Sequence, residues 1–305
     1  MPISTIGVPM DLGADRRGVD MGPSAIRYAG LASTLENIGR SCVDAGDLPV
    51  PHAEERDPDA RSTETGASAK YLDEVESVCT RLASEVAGAI DGGALPFVLG
   101  GDHSIAIGTL SGASRDREIG AVWFDAHSDV NTPETTPSGN VHGMPLAAAL
   151  GMGTFADTPW ANAADLREAN VALVGLRSVD DPERERIRDS AITAYTMSDI
   201  DQRGVTAITE EALDVATDGV DGIHVSLDLD WLDPSHAPGV GTPVRGGVTY
   251  REAHSALETV ATRDAREGVL RSLELVEANP ILDSHNETAE LGVELAASAL
   301  GKRVL

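Results

Sequence analysis

Short apolar or β-branched runs alternate along the chain with longer segments of helical periodicity. Between residues 68 and 90, apolar side chains recur at spacings of three and four, which predicts a helix with one buried stripe. That stripe consists of Val75, Val78, Leu82, Val86 and Ile90. A further helix is predicted over residues 287–300, and strands are predicted over residues 4–8, 95–99, 119–124, 171–174, 222–229 and 269–275. This alternation indicates an α/β fold with a mainly parallel central sheet.

The chain of 305 residues shows no internal repeat and no long linker, so we expect a single domain over residues 1–305. Residues 51–66 are polar and charged, which predicts a solvated surface loop. The first residues contain no basic region followed by a long apolar run, so no signal peptide is expected. The apolar runs are too short to span a bilayer. Together these features predict a soluble, cytoplasmic protein without a membrane partner.

Acidic residues outnumber Lys plus Arg by 50 to 23, which gives a formal net charge of −27. Such a charge argues against nucleic acid or an anionic membrane as the main partner, because phosphates would be repelled. The composition is similar to that of halophilic proteins from salt-rich cytoplasms, although an ordinary acidic cytosolic protein is the alternative. Two cysteines, Cys42 and Cys79, are too few for a disulfide framework or a zinc ribbon.

Three apolar strands are each followed by acidic side chains, and two of the three also by an imidazole. The first motif is WFDAHSD, in which alternation along an extended backbone would place Asp125, His127 and Asp129 in one volume. The second, SLDLD, ends a strand in Asp228 and Asp230. The third is GGDHS, in which His103 follows a strand and opens a helix. Because binding crevices form at the carboxyl ends of parallel strands, we expect the three motifs to meet there.

Four carboxylates packed together without compensation would cost several kcal/mol. Divalent cations remove this repulsion, and ligands rich in oxygen with few imidazoles favour Mn²⁺ or Mg²⁺ over Zn²⁺. Six ligands suit two ions about 3.5–4 Å apart, bridged by carboxylates and a hydroxide. Each motif alone is also consistent with a solvated strand end or a helix cap. Their joint occurrence after three separate strands favours the metal centre.

The three motifs, in this order, resemble those of the ureohydrolases, binuclear manganese enzymes that cleave guanidino compounds to urea. Within that family, three segments resemble arginase in particular and an N-terminal segment resembles the arginases of bacterial type, and the resemblance extends over nearly the whole chain. These segments are RRGVDMGPSAIRYAG at residues 16–30, DAHSDVNTPETTPSGNVHGMP at 125–145, DLDWLDPSHAPGVGTPVRGGVTYRE at 228–252 and LVEANPILD at 275–283. The resemblance implies a three-layer αβα fold of the arginase/deacetylase type.

The resemblance also implies two Mn²⁺ per subunit and assigns a ligand set to each. One ion would be bound by His103, Asp125, Asp129 and Asp228. The other would be bound by His127, Asp125, Asp228 and Asp230, so that Asp125 and Asp228 bridge. No ligand position departs from the family pattern.

Three catalytic roles follow from the same resemblance. A hydroxide that bridges the metals would attack the guanidinium carbon, with Asp129 orienting it and accepting its remaining proton. His142 would carry a proton to the leaving amine, a role that suits the pKa of an imidazole. Glu277 would pair with the substrate guanidinium. The implied reaction is the hydrolysis of L-arginine to L-ornithine and urea.

Substrate contacts are predicted in the loop that follows Asp129 and after the turn with the sequence GLR at residues 175–177. In arginases, positions matching Asn131, Thr136, Ser138 and Asn140 bind the α-carboxylate, directly or through water. Asp180 and Glu183 match the positions that hold the α-amine, although Asp181 adds a second acid here. Thr242 is a further predicted substrate contact. Ordinary turn chemistry is the alternative interpretation of the Ser, Thr and Asn residues.

Two other functions remain open from the sequence. Another ureohydrolase, such as an agmatinase or guanidinobutyrase, would share the metal ligands and differ in the substrate loop. A non-catalytic homologue that binds metal or arginine is the alternative of a different class. The resemblance also implies a homo-oligomer, either a trimer or a hexamer.

Overall fold

A central sheet of eight strands organises the chain in the computed structural model, which describes residues 1–59 and 69–303. The strands are β1 (Ile3–Val8), β2 (Cys42–Asp47), β3 (Leu95–Gly100), β4 (Ile119–Phe124), β5 (Val171–Leu176), β6 (Thr193–Thr196), β7 (Gly222–Asp228) and β8 (Leu270–Val276). Their spatial order is β2-β1-β3-β8-β7-β4-β5-β6. Every neighbouring pair is parallel.

Helices cover both faces of this sheet. They are α1 (Gly22–Tyr28), α2 (Leu31–Asn37), α3 (Leu72–Asp91), α4 (Ala106–Ser114), α5 (Pro145–Ala149), α6 (Asp181–Asp189), α7 (Met197–Arg203), α8 (Val205–Thr217), α9 (Tyr250–Glu267) and α10 (Glu287–Ala299). One apolar core joins the sheet to α1, α2 and α7 to α10, and a second joins the opposite face to α3, α4 and α5. The predicted three-layer αβα architecture is therefore confirmed.

The predicted strands are all present, with ends shifted by at most a few residues. Two strands were not predicted, β2 and β6, and both lie at the edges of the sheet. β2 is largely exposed and β6 has only four residues, so neither carries an apolar run. Helix α3 begins at Leu72 rather than at residue 68, which lies outside the described residues. Its predicted stripe is buried at Val75, Val78, Leu82 and Val86.

The predicted surface loop at 51–66 is described only up to residue 59, and that part contains a 3₁₀ turn at Ala53–Glu55. Within the described residues, none of the helices has the length and apolarity needed to cross a bilayer. The four central strands, β3, β8, β7 and β4, lie side by side and point the same way. Their carboxyl ends therefore meet at one edge, which is where the motif residues follow.

Candidate metal centre

The turn after β3 depends on Gly101, which lets the backbone pass close to its neighbours. A Cβ on Gly101 would lie 1.9 Å from the carbonyl oxygen of Met10, so no larger residue fits. The Gly101 N–H donates to the Val8 carbonyl, and its own carbonyl accepts from the Glu277 N–H at 2.8 Å. Asp102 then caps the following 3₁₀ turn by accepting the Ser104 N–H. This turn places His103 at the carboxyl edge of the sheet.

The loop after β4 brings three predicted ligands together. Asp125 accepts the N–H of His127 at 2.7 Å and the indole N–H of Trp123 at 3.1 Å, which orients the carboxylate. Asp129 has a φ of 53°, in the left-handed region that is uncommon for residues other than glycine. Residues 125–129 are not part of the strand, so the predicted alternation along an extended backbone is wrong even though the convergence is right.

Two clusters of ligand atoms share Asp125. The Nδ1 atom of His103 lies 3.2 Å from an Asp125 oxygen and 3.0 Å from an Asp129 oxygen. It also lies 3.2 Å from Oδ2 of Asp228. In the second cluster, the Nδ1 atom of His127 lies 3.5 Å from Asp125 and 3.0 Å from Asp230. Each imidazole thus faces several carboxylates, and Asp125 stands between the two.

The remaining ligands come from the end of β7. Asp228 accepts the N–H of Asp230 at 2.7 Å, which opens a 3₁₀ turn and brings both carboxylates to the same edge. Thr242 donates its hydroxyl to Oδ2 of Asp230 at 2.8 Å. The predicted substrate residue Thr242 therefore also orients a predicted metal ligand.

The pKa values in this cluster show that the site stabilises positive charge. Burial and the charge of Asp125 raise the pKa of Asp129 to about 7. Burial and the charges of Asp230 and Asp125 raise the pKa of Asp228 well above its usual value. Burial alone would lower the pKa of His103, but its contacts with Asp125 and Asp129 raise it well above the ordinary imidazole value.

His127 behaves in the same way, because the charge of Asp230 and the contact with Asp125 outweigh burial and raise its pKa. Hydrogen bonds and charge from His103 and His127 likewise outweigh burial at Asp125 and lower its pKa. The carboxylates therefore hold protons on the two imidazoles when nothing else neutralises them.

Metal ions fit this donor set. Among the described residues, His103 Nδ1 and Asp129 Oδ2 are buried without a hydrogen-bond partner. The ligand atoms of His103, Asp125 and Asp129 lie within 4.8 Å of one another, as do those of Asp125, His127 and Asp230. Unpaired buried atoms of this kind are costly, and a cation that they coordinate removes the cost. Carboxylate-rich ligation with one imidazole per cluster suits Mn²⁺ or Mg²⁺ better than Zn²⁺.

Beside the metal ligands, His142 and Glu277 form a hydrogen-bonded pair. Oε1 of Glu277 lies 3.2 Å from Nδ1 of His142 and accepts the backbone N–H of His103 at 3.0 Å. Its other oxygen, Oε2, is buried and has no hydrogen-bond partner within the described ranges. Glu277 has a φ of 66°, so this catalytic candidate, like Asp129, is held in a costly backbone conformation.

A cavity of about 280 Å³ opens above the cluster. Asp125 and Glu277 are not among the residues that line it, whereas all the other predicted site residues are. These lining residues are His103, His127, Asp129, Asn131, Thr136, Ser138, Asn140, His142, Asp180, Glu183, Asp228, Asp230 and Thr242. No lysine or arginine of the described chain lines the cavity, so its electrostatic character favours a cationic ligand.

The three acidic residues near the start of α6 have different surroundings. Asp181 is 88% exposed at its side chain and pairs with Arg184. Glu183 is buried and accepts the backbone N–H groups of Val130 and Asp180. Asp180 lines the cavity and accepts the amide N–H of Asn131 at 3.1 Å. Of the three, Asp181 faces away from the site.

Comparison with known proteins agrees with this geometry. The model of the arginase family matches residues 1–301. An arginase from Bacillus caldovelox is 49% identical over 307 residues, covering 100% of this chain and 99% of the relative. The chain belongs to the arginase family. Its fold matches an arginase crystal structure from Bacillus subtilis with a TM-score of 0.89 at 46% identity, covering 100% of both chains. The Bacillus caldovelox arginase structure gives a TM-score of 0.90 at 47% identity, covering 100% of this chain and 99% of that one.

Family membership confirms the resemblance that the motifs show. It also confirms the predicted arginase function, that of a hydrolase acting on a guanidino bond. Ser226, Glu274 and Trp123 also contact the cluster but were not predicted as site residues. Ser226 and Glu274 are completely buried next to His103, and Trp123 stacks on its ring with centroids 4.4 Å apart. All three precede a predicted site residue by two or three positions in sequence, which is the signal that could have found them.

Proposed function

We propose that the protein hydrolyses L-arginine to L-ornithine and urea with the help of two Mn²⁺ ions. The observation that carries this proposal is the pair of imidazole–carboxylate clusters that share Asp125 at the floor of a cavity without basic lining residues. The His142–Glu277 pair stands beside these clusters. A guanidinium group that enters the cavity would therefore find residues able to hold two divalent cations and, beside them, the buried carboxylate of Glu277.

The ligand sets follow the two clusters. His103, Asp125, Asp129 and Asp228 would hold one ion, and His127, Asp125, Asp228 and Asp230 would hold the other. The contacts of His103 with three of these carboxylates support the first set. When bound, two divalent cations lower the pKa of a water molecule so that it is an effective nucleophile near neutral pH.

The chain's own groups orient the substrate and move the protons. Glu277 would accept guanidinium N–H groups at Oε2, since this oxygen has no partner among the described residues while Oε1 is held by His103 and His142. A buried charge-assisted contact of this kind fixes the guanidinium carbon above the floor of the cavity. Asp129, whose carboxylate lines the cavity, would accept a proton from the water. His142 would deliver a proton to the leaving amine.

The α-amine and α-carboxylate of arginine would bind near the mouth. Asp180 is the best candidate for the amine, because it lines the cavity while Glu183 is engaged with backbone N–H groups and Asp181 faces solvent. Asn131, Thr136, Ser138 and Asn140 would provide neutral hydrogen bonds for the carboxylate. Some of their hydrogen bonds are made within the loop itself, since the Thr136 hydroxyl accepts the Gly139 N–H at 3.0 Å.

The competing substrates are tested by measuring urea release from L-arginine and agmatine in parallel, with Mn²⁺-loaded protein in molar KCl. Turnover of arginine alone supports the proposal, because agmatine lacks the α-carboxylate that the Asn131 loop would bind. Turnover of agmatine instead would keep the metal centre and overturn the substrate assignment. Absence of urea from both, with two bound metals verified, would favour a non-catalytic binding protein.

The setting of this activity is part of the proposal. We infer a single domain that works in the cytoplasm, and a homo-oligomer, either a trimer or a hexamer. The net charge of −27 further suggests a protein adapted to high salt. Light scattering of the purified protein in molar KCl measures the mass of the assembly and would contradict the oligomer if it gave 31.8 kDa, the mass of one chain.

A further inference from the structure

A series of hydrogen-bonded, buried polar side chains extends from His103 along strands β7 and β8, away from the cavity. Nε2 of His103 is 2.7 Å from the hydroxyl of Ser226, and that hydroxyl donates to Oε1 of Glu274 at 2.7 Å. The same carboxylate oxygen lies 3.2 Å from Nε2 of His224, whose Nδ1 is 2.9 Å from the hydroxyl of Ser272. All five side chains are almost completely buried, so they are shielded from bulk solvent.

The register of β7 and β8 creates this arrangement. Ser226 pairs with Glu274 and His224 pairs with Ser272, so the four residues form two adjacent cross-strand pairs on one face. Asp228 follows Ser226 by two positions on β7 and shares that face. The polar pairs therefore lead directly from the middle of the sheet to the metal ligands.

Fold stability alone does not account for a carboxylate at this position. Burying an ionised group costs several kcal/mol unless its partners compensate, and well-packed apolar residues are often as stable or more stable. Oε2 of Glu274 has no hydrogen-bond partner in the described part of the chain, so one of the two carboxylate oxygens is buried without a direct bond. Glu274 stands between Leu273 and Leu275 in an otherwise apolar part of β8. Such a group is expected to serve the site.

The direction of the hydrogen bonds indicates what the group does. A serine hydroxyl can donate or accept, but a carboxylate only accepts, so Glu274 fixes Ser226 as its donor. The oxygen of Ser226 then accepts from His103, which places the imidazole proton on Nε2. Nδ1, which faces Asp125, Asp129 and Asp228, is then the nitrogen that would offer its lone pair to a cation in place of a proton. Stacking on Trp123, with an interplanar angle of 11°, keeps the ring in this orientation.

We propose that Ser226 and Glu274 are positioning residues that present Nδ1 of His103 to a divalent cation. The inference rests on the metal centre of the proposed function and assigns it a support on β7 and β8. Partners that hold the second nitrogen of a metal-binding imidazole fix its tautomer and raise its basicity, and their loss lowers metal affinity about 10- to 100-fold.

Three variants separate positioning from general packing. Ser226→Ala removes the acceptor for His103, and Glu274→Gln keeps the shape but no longer forces the hydroxyl to donate. Ser272→Ala is the matched control, because it removes a buried hydroxyl from the same series of polar side chains without touching His103. Mn²⁺ binding to chelator-treated protein is measured by calorimetry, and electron paramagnetic resonance reports whether one ion or a coupled pair is bound.

We expect the unmodified protein and Ser272→Ala to bind two Mn²⁺ alike. Ser226→Ala and Glu274→Gln should weaken one of the two ions by about 10- to 100-fold and leave the other nearly unchanged. Ser226→Thr, which restores a hydroxyl, should recover affinity. Unfolding midpoints of the metal-free variants identify any that fail to fold, and if Ser226→Ala does, the nearly isosteric Glu274→Gln carries the test.

Two results would overturn the proposal in distinguishable ways. If Ser226→Ala and Glu274→Gln bind both ions as tightly as Ser272→Ala, the positioning role is wrong and the metal centre stands. If the unmodified protein binds no Mn²⁺ at all, the metal centre itself is wrong and the positioning role falls with it.

Discussion

Replacing Glu277 with glutamine tests how the site recognises a guanidinium group. The side chain is 1% exposed, and its Oε1 already accepts the backbone N–H of His103. In Glu277→Gln the amide oxygen is expected to keep that bond, because the N–H of His103 offers only a donor. The amide NH₂ must then occupy the position of Oε2 and face the substrate. A carboxylate that would accept guanidinium N–H groups is thus replaced by a donor.

The expected size of the effect follows from the burial of the pair. Removing one partner of a buried, hydrogen-bonded ion pair costs about 3–5 kcal/mol. Since about 1.4 kcal/mol corresponds to a factor of ten, kcat/KM for arginine should fall by roughly 10² to 10⁴. Steady-state urea release at saturating Mn²⁺ measures it. An exposed glutamate on α6, Glu185, gives the control Glu185→Gln, which removes the same charge and should leave kcat/KM unchanged.

The same variant should also change the pH profile. Burial lowers the pKa of His142, but the hydrogen bond and charge of Glu277 outweigh it and raise that pKa above the ordinary imidazole value. Without the carboxylate the pKa of His142 must fall. Because His142 would act in its protonated form, the alkaline limb of the kcat profile should move to lower pH.

A fall of less than tenfold in kcat/KM would refute the reasoning about Glu277, provided that the variant binds two Mn²⁺ and unfolds at the same temperature as the control. An alkaline limb that stays in place would refute the coupling between Glu277 and His142. The two readouts are independent, so binding of the guanidinium and proton delivery are tested separately.

Three further outcomes are expected. Asp180→Asn should raise KM for arginine at least tenfold while Asp181→Asn changes it less than twofold, and equal effects in steady-state kinetics would contradict the assignment. Mn²⁺ at about 100 times its Kd should stabilise the chelator-treated protein by about 2.7 kcal/mol for each ion bound, which denaturant unfolding with and without the ion measures. If the net charge of −27 reflects adaptation to salt, the unfolding midpoint should rise with KCl up to molar concentration, and an unchanged midpoint would sink that idea.

The sequence predicts the location of the site better than its local backbone. The rule that binding residues follow the carboxyl ends of parallel strands correctly brings His103, Asp125 and Asp228 to one edge. The sequence also predicts that an extended backbone brings Asp125, His127 and Asp129 together. This prediction is wrong, because β4 ends at Phe124. Asp129 reaches the cluster through a left-handed backbone conformation. Sequence patterns favour regular structure, whereas strained loop residues are fixed by the contacts around them.

The two missed strands have a different physical cause. β2 and β6 pair on one side only, so each has an edge that needs no apolar neighbour. β2 reads CVDAGD and is mostly exposed, which gives neither an apolar run nor an alternating pattern. Its place in the sheet depends on pairing with β1, and such pairing leaves little trace in the composition of the strand itself.

Glu274 shows why the support of His103 could not be predicted from the motifs alone. In a strand that is covered on one face, a charge between two leucines would simply point to water. β8 instead lies between β3 and β7 at the centre of an all-parallel sheet with helices on both faces, so neither face offers solvent. The charge then requires a buried partner, and the register supplies Ser226. The role of Glu274 as a support of the metal centre therefore depends on the strand order, which the sequence does not reveal.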